Sequence, residues 1–134
     1  MPSNKFVIVF ANGVSGNVPA AGTEGVITST PPLSPAFDNQ PILVFARIEV
    51  TPGAAVTNIQ LKLRRGVGIA GTDIFGGNTA NISVTAGAPL IMPIFFVDSP
   101  GIVAGQQYSL TAIATGGAAG SVVQASACLF AMCL

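Results

Sequence analysis

The sequence predicts an all-β fold, a single sandwich of about eight strands. Sixteen Gly and ten Pro punctuate the chain roughly every ten residues, the spacing of short strands joined by turns. Apolar and polar residues alternate at the two-residue period of a strand in several segments. Helical periodicity is absent, because Gly-Gly, Pro-Gly or β-branched residues interrupt every Ala-rich stretch. A chain of 134 residues has the size of one domain and can bury a core.

The strands follow in order. Residues 5–11 form the first, closed by Asn12-Gly13, and residues 25–30 the second. Pro31, Pro32, Pro35 and Pro41 then impose an extended crossing with few backbone donors. Residues 1–41 thus read as a strand or arm followed by a Pro-rich crossing, part of the same fold as the sandwich body, residues 42–134. Poor in charge, that segment would reach onto neighbouring molecules. The third strand, 42–51, sets Ile42, Val44, Ala46, Ile48 and Val50 on one face, with Arg47 and Glu49 on the other. Thr51-Pro52-Gly53-Ala54 carries Pro and Gly at its centre, as a type II turn prefers. In 56–65, Ile59, Leu61 and Leu63 face inward, and Asn58, Gln60, Lys62 and Arg64 face water. Residues 66–77 hold a short strand near 72–75; then come 81–85, with Ile82 and Val84 inward, and 90–98, 107–115 and 122–132. Eight principal strands, long early crossings and no helices indicate a jelly roll or a related Greek-key sandwich. The immunoglobulin-like alternative lacks its buried Trp and its Cys pair.

Composition removes several functions. Five acids and five bases give a net charge of zero, so the basic field that nucleic-acid backbones require is missing. No His is present, which excludes a Ser-His-Asp triad and imidazole metal ligands. The apolar runs are far shorter than the ~20 residues of a membrane-spanning helix. The run 6–11 is also shorter than a secretory signal core and reads better as a strand. Cys128 and Cys133 fall at opposite strand parity, hence on opposite faces as free thiols. Gly66-Val67-Gly68-Ile69-Ala70-Gly71 matches a dinucleotide fingerprint, but no helix-forming sequence follows it, so it reads as a flexible loop. Arg64-Arg65 reads as a solvated strand end, with an anion or a neighbour's carboxylate as the alternative. Asp98-Ser99-Pro100-Gly101 reads as a turn in which Asp accepts backbone N–H groups. Tyr108 reads as a sheet residue with a wet tip or as a corner anchor. Asn81-Ile82-Ser83 fits a glycosylation sequon and reads as the polar face of a strand. No catalytic residue, cofactor or metal site is expected.

Alternation fails in residues 6–10, 90–97 and 129–134, which are apolar on both faces. A sandwich covers only one face of each sheet, so a doubly apolar strand needs a second cover. Either the terminal strands tuck beneath the chain's own loops, or another copy supplies the cover. The second reading predicts an obligate homo-oligomer, a trimer packed through the sheet that holds both chain ends. Its interface would include Phe6, Ile8, Phe10, Phe95, Leu129, Phe130, Met132 and Leu134.

A resemblance accompanies this reading. Residues 59–66 with their Arg64-Arg65-Gly66 ending, then Gly71-Thr72, Val84-Thr85-Ala86-Gly87, Asp98-Ser99-Pro100-Gly101 and 104–111 resemble, in that order, small jelly-roll structural proteins of bacteriophage virions. They also look like the trimeric, tumour-necrosis-factor-like heads of bacterial surface and spore-coat fibres. The likeness covers roughly 31–132 and carries no catalytic residues. It implies a virion capsid, decoration or cement subunit, whose partners are its own copies and other virion proteins. The alternative it implies is a fibre head or adhesin at a bacterial cell or spore surface. A third reading, a carbohydrate-binding sandwich, is weakened by the absence of Trp and the single Tyr.

Overall fold

The computed structural model describes residues 8–13, 16–17, 22–35, 39–74, 81–101, 105–117 and 122–134. Its strands are β1 (Ile8–Gly13), β2 (Gly16–Asn17), β3 (Gly25–Ser29), β4 (Ile42–Pro52), β5 (Asn58–Arg65), β6 (Thr72–Asp73), β7 (Asn81–Ser83), β8 (Leu90–Asp98), β9 (Tyr108–Thr115) and β10 (Val122–Cys133). Among the described residues the one helical element is a three-residue 3-10 turn, Gly68–Ala70.

Two antiparallel sheets result. Sheet A runs β1-β10-β4-β8, with β2 also on β10; sheet B runs β3-β9-β5-β6, with β7 also on β5. Because β9 lines the whole of one side of β5, β6 and β7 share its other side at different heights. Counting that pair as one position and setting aside the two-residue β2, partners run first with last, second with seventh, third with sixth and fourth with fifth. This is one long antiparallel hairpin rolled over on itself, an eight-stranded jelly roll.

Side-chain parity fixes the core between the sheets. Ile42, Val44, Ala46, Ile48 and Val50 of β4 meet Ile59, Leu61 and Leu63 of β5, all fully buried, as the alternation predicts. Met92, Leu110, Ala112, Leu129 and Ala131 fill the space between them. Ile82 and Val84 pack against this cluster from its edge. Pro93 lies in β8, an edge strand among the described residues, where a residue without an N–H is tolerated.

The Pro-rich crossing is anchored where donors remain. Thr30 N–H donates to the Tyr108 carbonyl at 2.8 Å, and Leu33 exchanges two backbone bonds with Gln106. Here β1 and β3 are held by the chain's own β10 and β9, and Leu33 is buried in its own core.

One turn differs from expectation. Pro52 ends β4 and is buried, and the next turn closes through Val56 N–H to the Gly53 carbonyl, with Ala55 at φ 65°. The hydrophobic anchoring of Pro52 moves the turn past the Pro-Gly pair. A Cβ in the left-handed region costs roughly 1–2 kcal/mol. Ala55→Gly is therefore expected to raise stability by about 0.5–1 kcal/mol, after the greater freedom of unfolded Gly is subtracted. Urea unfolding should show a higher midpoint at unchanged slope; a lower midpoint would contradict the strain at this position.

Candidate assembly surface

Among the described residues the fully buried core of this jelly roll is aliphatic apart from Tyr108, with the partly buried Phe96 of β8 packed against it. Phenylalanine ordinarily ranks among the most buried residues. Here Phe45, Phe95 and Phe130 stand on the outer face of sheet A, at the parity opposite to the core residues of β4, β8 and β10.

Register aligns them. Phe45 of β4 is opposite Phe95 of β8 on one side and Phe130 of β10 on the other. Phe10 of β1 is the register partner of Phe130, so four neighbouring strands carry Phe at one level. The next level holds Ile8, Met132, Leu43 and Val97 in the same strand order. The Phe45 and Phe130 rings stack, with centroids 5.1 Å apart and planes at 25°. Phe95 is 66% exposed, and Leu134, at the end of the face, 53%. Leaving such side chains in water forgoes roughly 1.5–3 kcal/mol each.

Among the described residues, charge is confined to one end of this face. Arg47 and Glu49 lie one and two levels beyond the Phe row and pair with each other at 3.5 Å. Cys128 lies level with Arg47, half-buried on this face, while Cys133 lies in the core; both are free thiols. Burial raises the pKa of the Cys133 thiol.

The sequence-predicted interface residues divide accordingly. Phe95, Phe130, Met132 and Leu134 share the outer face or its end, and Ile8 and Phe10 hold the matching levels in β1. Phe6 lies outside the described residues. Leu129 is a correction: it points inward and is fully buried in the chain's own core, because it has the parity of Ala131 rather than that of Phe130. Leu43 and Phe45 were missed, although the alternation that places Arg47 and Glu49 outward places them outward too. Ile91 and Val97, also exposed, follow from the same parity in β8.

Sheet B presents a different outer surface. Neighbouring strand residues point to opposite faces, so Arg64-Arg65 places one guanidinium on each side of the sheet. Outward, Arg64 donates two hydrogen bonds to the Glu24 carboxylate at 2.6 and 2.7 Å, and Thr111 Oγ1 donates a third at 2.6 Å. Lys62 stands 3.8 Å from the same carboxylate. The Arg64 hydrogen bonds above all hold the Glu24 pKa down at about 2 against the penalty of burial, and they raise that of Arg64. Inward, Arg65 forms a two-bond ion pair with Asp98, whose carboxylate also accepts the Tyr108 hydroxyl at 2.8 Å. Burial first, then the neighbouring Asp98 carboxylate, raises the Tyr108 pKa; the Asp98 hydrogen bond raises that of Arg65.

These contacts correct four expectations. Arg64-Arg65 is not a solvated strand end, because each member finds a carboxylate within the chain. Among the described residues Asp98 receives side-chain donors from sheet B rather than backbone donors of a turn. The Tyr108 tip is dry, as its hydroxyl anchors a corner between the sheets. The Gly66–Gly71 loop is pinned by Gly68 N–H to Ser109 Oγ, Ser109 Oγ to the Gly66 carbonyl and Arg64 to the Gly71 carbonyl. Ser83, in the sequon, bonds Asn58 across β7 and β5. Among the described residues no three His, Cys, Asp or Glu side chains gather as metal ligands, and no helix is long and apolar enough to cross a membrane.

The sequence matches no protein-family model and no curated protein. Solved structures match in fold. A structure of infectious bursal disease virus, Gt strain, superposes with a TM-score of 0.62 at 14% identity, over 96% of this chain and 33% of that one. The T13 particle of that virus gives 0.61 at 14% identity, over 96% and 31%. Its VP2 subviral particle gives 0.59 at 15% identity, over 98% and 34%. The chain therefore spans about a third of the length of these viral chains. At such identity the likeness is one of fold, a jelly roll, as the strand pattern of the sequence predicts.

Proposed function

We propose that this chain is a non-enzymatic structural subunit of a virus particle, a capsid, decoration or minor virion component that assembles with its own copies through the outer face of sheet A. The carrying observation is the cross-strand row of Phe45, Phe95 and Phe130 standing outside an aliphatic core. Apolar faces of this kind mark interfaces, and a trimer is the state implied by the sequence resemblance. The jelly-roll fold shared with chains of a viral particle supports the same reading.

The row suits protein packing better than glycan binding. A sugar platform needs ring faces directed at the ligand, whereas Phe45 and Phe130 turn faces toward each other. The chain's zero net charge lets like copies approach without repulsion and offers nothing to a polyanion.

Native mass measurement at micromolar concentration tests the proposal, with a trimer expected. Phe95→Asp should weaken association about tenfold or more, as loss of a central aromatic contact does. Its exposure leaves the circular dichroism spectrum unchanged. A wild-type chain that stays monomeric and soluble would overturn the assignment.

A further inference from the structure

The outer face of sheet A is layered along its strands. On β4 the outward residues run Leu43, Phe45, Arg47, Glu49, and the register carries each level across to the neighbouring strands. The first two levels are apolar on every strand, and the last two carry the ion pair. We infer that this layering orients the copies: the symmetry axis of the oligomer runs along the sheet A strands, and Arg47 and Glu49 of one copy pair with Glu49 and Arg47 of the next. The inference rests on the function proposed above and adds to that interface its orientation and its charged contact.

Rotational symmetry that gathers copies of one face around a centre places its axis parallel to that face. With the axis along the strands, rotation keeps every residue at its own height. Phe then meets Phe, and the charged levels of neighbouring copies meet each other. With the axis across the strands, the charged end of one copy lies against the Leu43 end of the next. Arg47 and Glu49 would lose water there and gain no new partner, which is heavily penalised. The same penalty that rejects the crossed arrangement selects the aligned one.

The pair is able to be shared. Arg47 Nη2 stands 3.5 Å from Glu49 Oε2, and the two side chains are 40% and 39% exposed. On sheet B, by contrast, Arg64 and Arg65 each bind a carboxylate through two hydrogen bonds. A guanidinium carries five N–H donors, so Arg47 retains donors for a second carboxylate. Glu49 has Ser126 Oγ at 3.5 Å besides Arg47, again a long contact.

The occupant follows from charge and area. An Arg and a Glu side by side are self-complementary, so a second copy satisfies both at once. A partner charged in one sign would satisfy one of them and repel the other. Strands β1, β10, β4 and β8 give the face a footprint of roughly 600 Å² at ~3.3 Å per residue and ~4.8 Å between strands. That is of the order of the ~800 Å² per partner of a standard interface.

Charge reversal tests the arrangement. Arg47→Glu gives every copy two acids at this end, and Glu49→Arg gives every copy two bases. Both positions are on the surface, so the circular dichroism spectrum should not change. Sedimentation velocity on either variant alone should show association weakened about tenfold or more, since like charges then meet. Mixed in equal amounts, the two variants should recover association by about threefold or more, as mixed oligomers seen by native mass measurement. Neither chain regains its own ion pair in the mixture, so a pair that acts only within the chain gives no recovery. A mixture that behaves as the sum of its parts, or single variants that associate like wild type, would overturn the inference. If Phe95→Asp still dissociates the oligomer in that case, the sheet A proposal stands. An oligomer unaffected by Phe95→Asp would overturn that proposal and the inference with it.

Discussion

Asp98→Ala is expected to destabilise the fold by about 3 kcal/mol, a value between the loss of a bond to a charged group and the breaking of a buried ion pair. Asp98 ends β8 in sheet A, while Arg65 ends β5 and Tyr108 begins β9 in sheet B. One carboxylate, 3% exposed, therefore ties the sheets together at one end of the sandwich. Removing it leaves the Tyr108 hydroxyl buried without that acceptor, which alone costs about 1–3 kcal/mol. The Arg65 side chain is 35% exposed and can turn toward water, so the full penalty for a stranded buried charge does not apply. Tyr108→Phe removes the hydroxyl but leaves the ion pair, and should cost about 1.5 kcal/mol. Asp98→Asn keeps the shape and an acceptor for Tyr108 and should fall between the two. Urea midpoints at one fixed protein concentration would read this order, since association couples to apparent stability. A shift for Asp98→Ala no larger than for the exposed Thr85→Ala would refute the tie.

That tie shows where sequence reading reaches and where it stops. The fold was legible because its signal is local: alternation in β4 and β5 places Ile42 to Val50 and Ile59 to Leu63 inward without knowledge of any partner. The apolar excess of β8 and β10 was legible for the same reason. The Phe row was not, because it depends on register between strands distant in sequence. Asp98 lies 33 residues from Arg65, and Glu24 lies 40 from Arg64. No turn or spacing rule connects them. One cue was available: with so few charges in so apolar a chain, a charge beside a core strand requires a partner. Strand parity then assigns Arg64 and Arg65 to opposite sides of sheet B. Leu129 was misplaced by the converse error, since a segment apolar on both faces does not reveal which residues face which way.

The outer cluster leads to the second large effect, a stability lost only in strong acid. The Glu24 pKa falls from an ordinary 4.5 to about 2 in the folded chain, and Arg64 is the main cause. A carboxyl whose folded pKa lies below its unfolded value stabilises the fold fully above the unfolded value and loses that contribution as pH falls through the folded one. The window here runs from about pH 4.5 down to about 2, and the contribution above it is at most about 3 kcal/mol. Glu24→Gln preserves size and some hydrogen bonding but cannot ionise. Wild type should therefore exceed this variant by about 2–3 kcal/mol at pH 7, and the difference should shrink toward zero near pH 2. Comparing the two proteins at each pH cancels the titration of the other carboxyls, which both share. The cluster fixes Glu24 to β5 and β9 immediately before β3, so the variant should also speed amide exchange in β3 at neutral pH. A stability difference that stays constant from pH 7 to pH 2 would show that Glu24 acts through packing rather than through its charge.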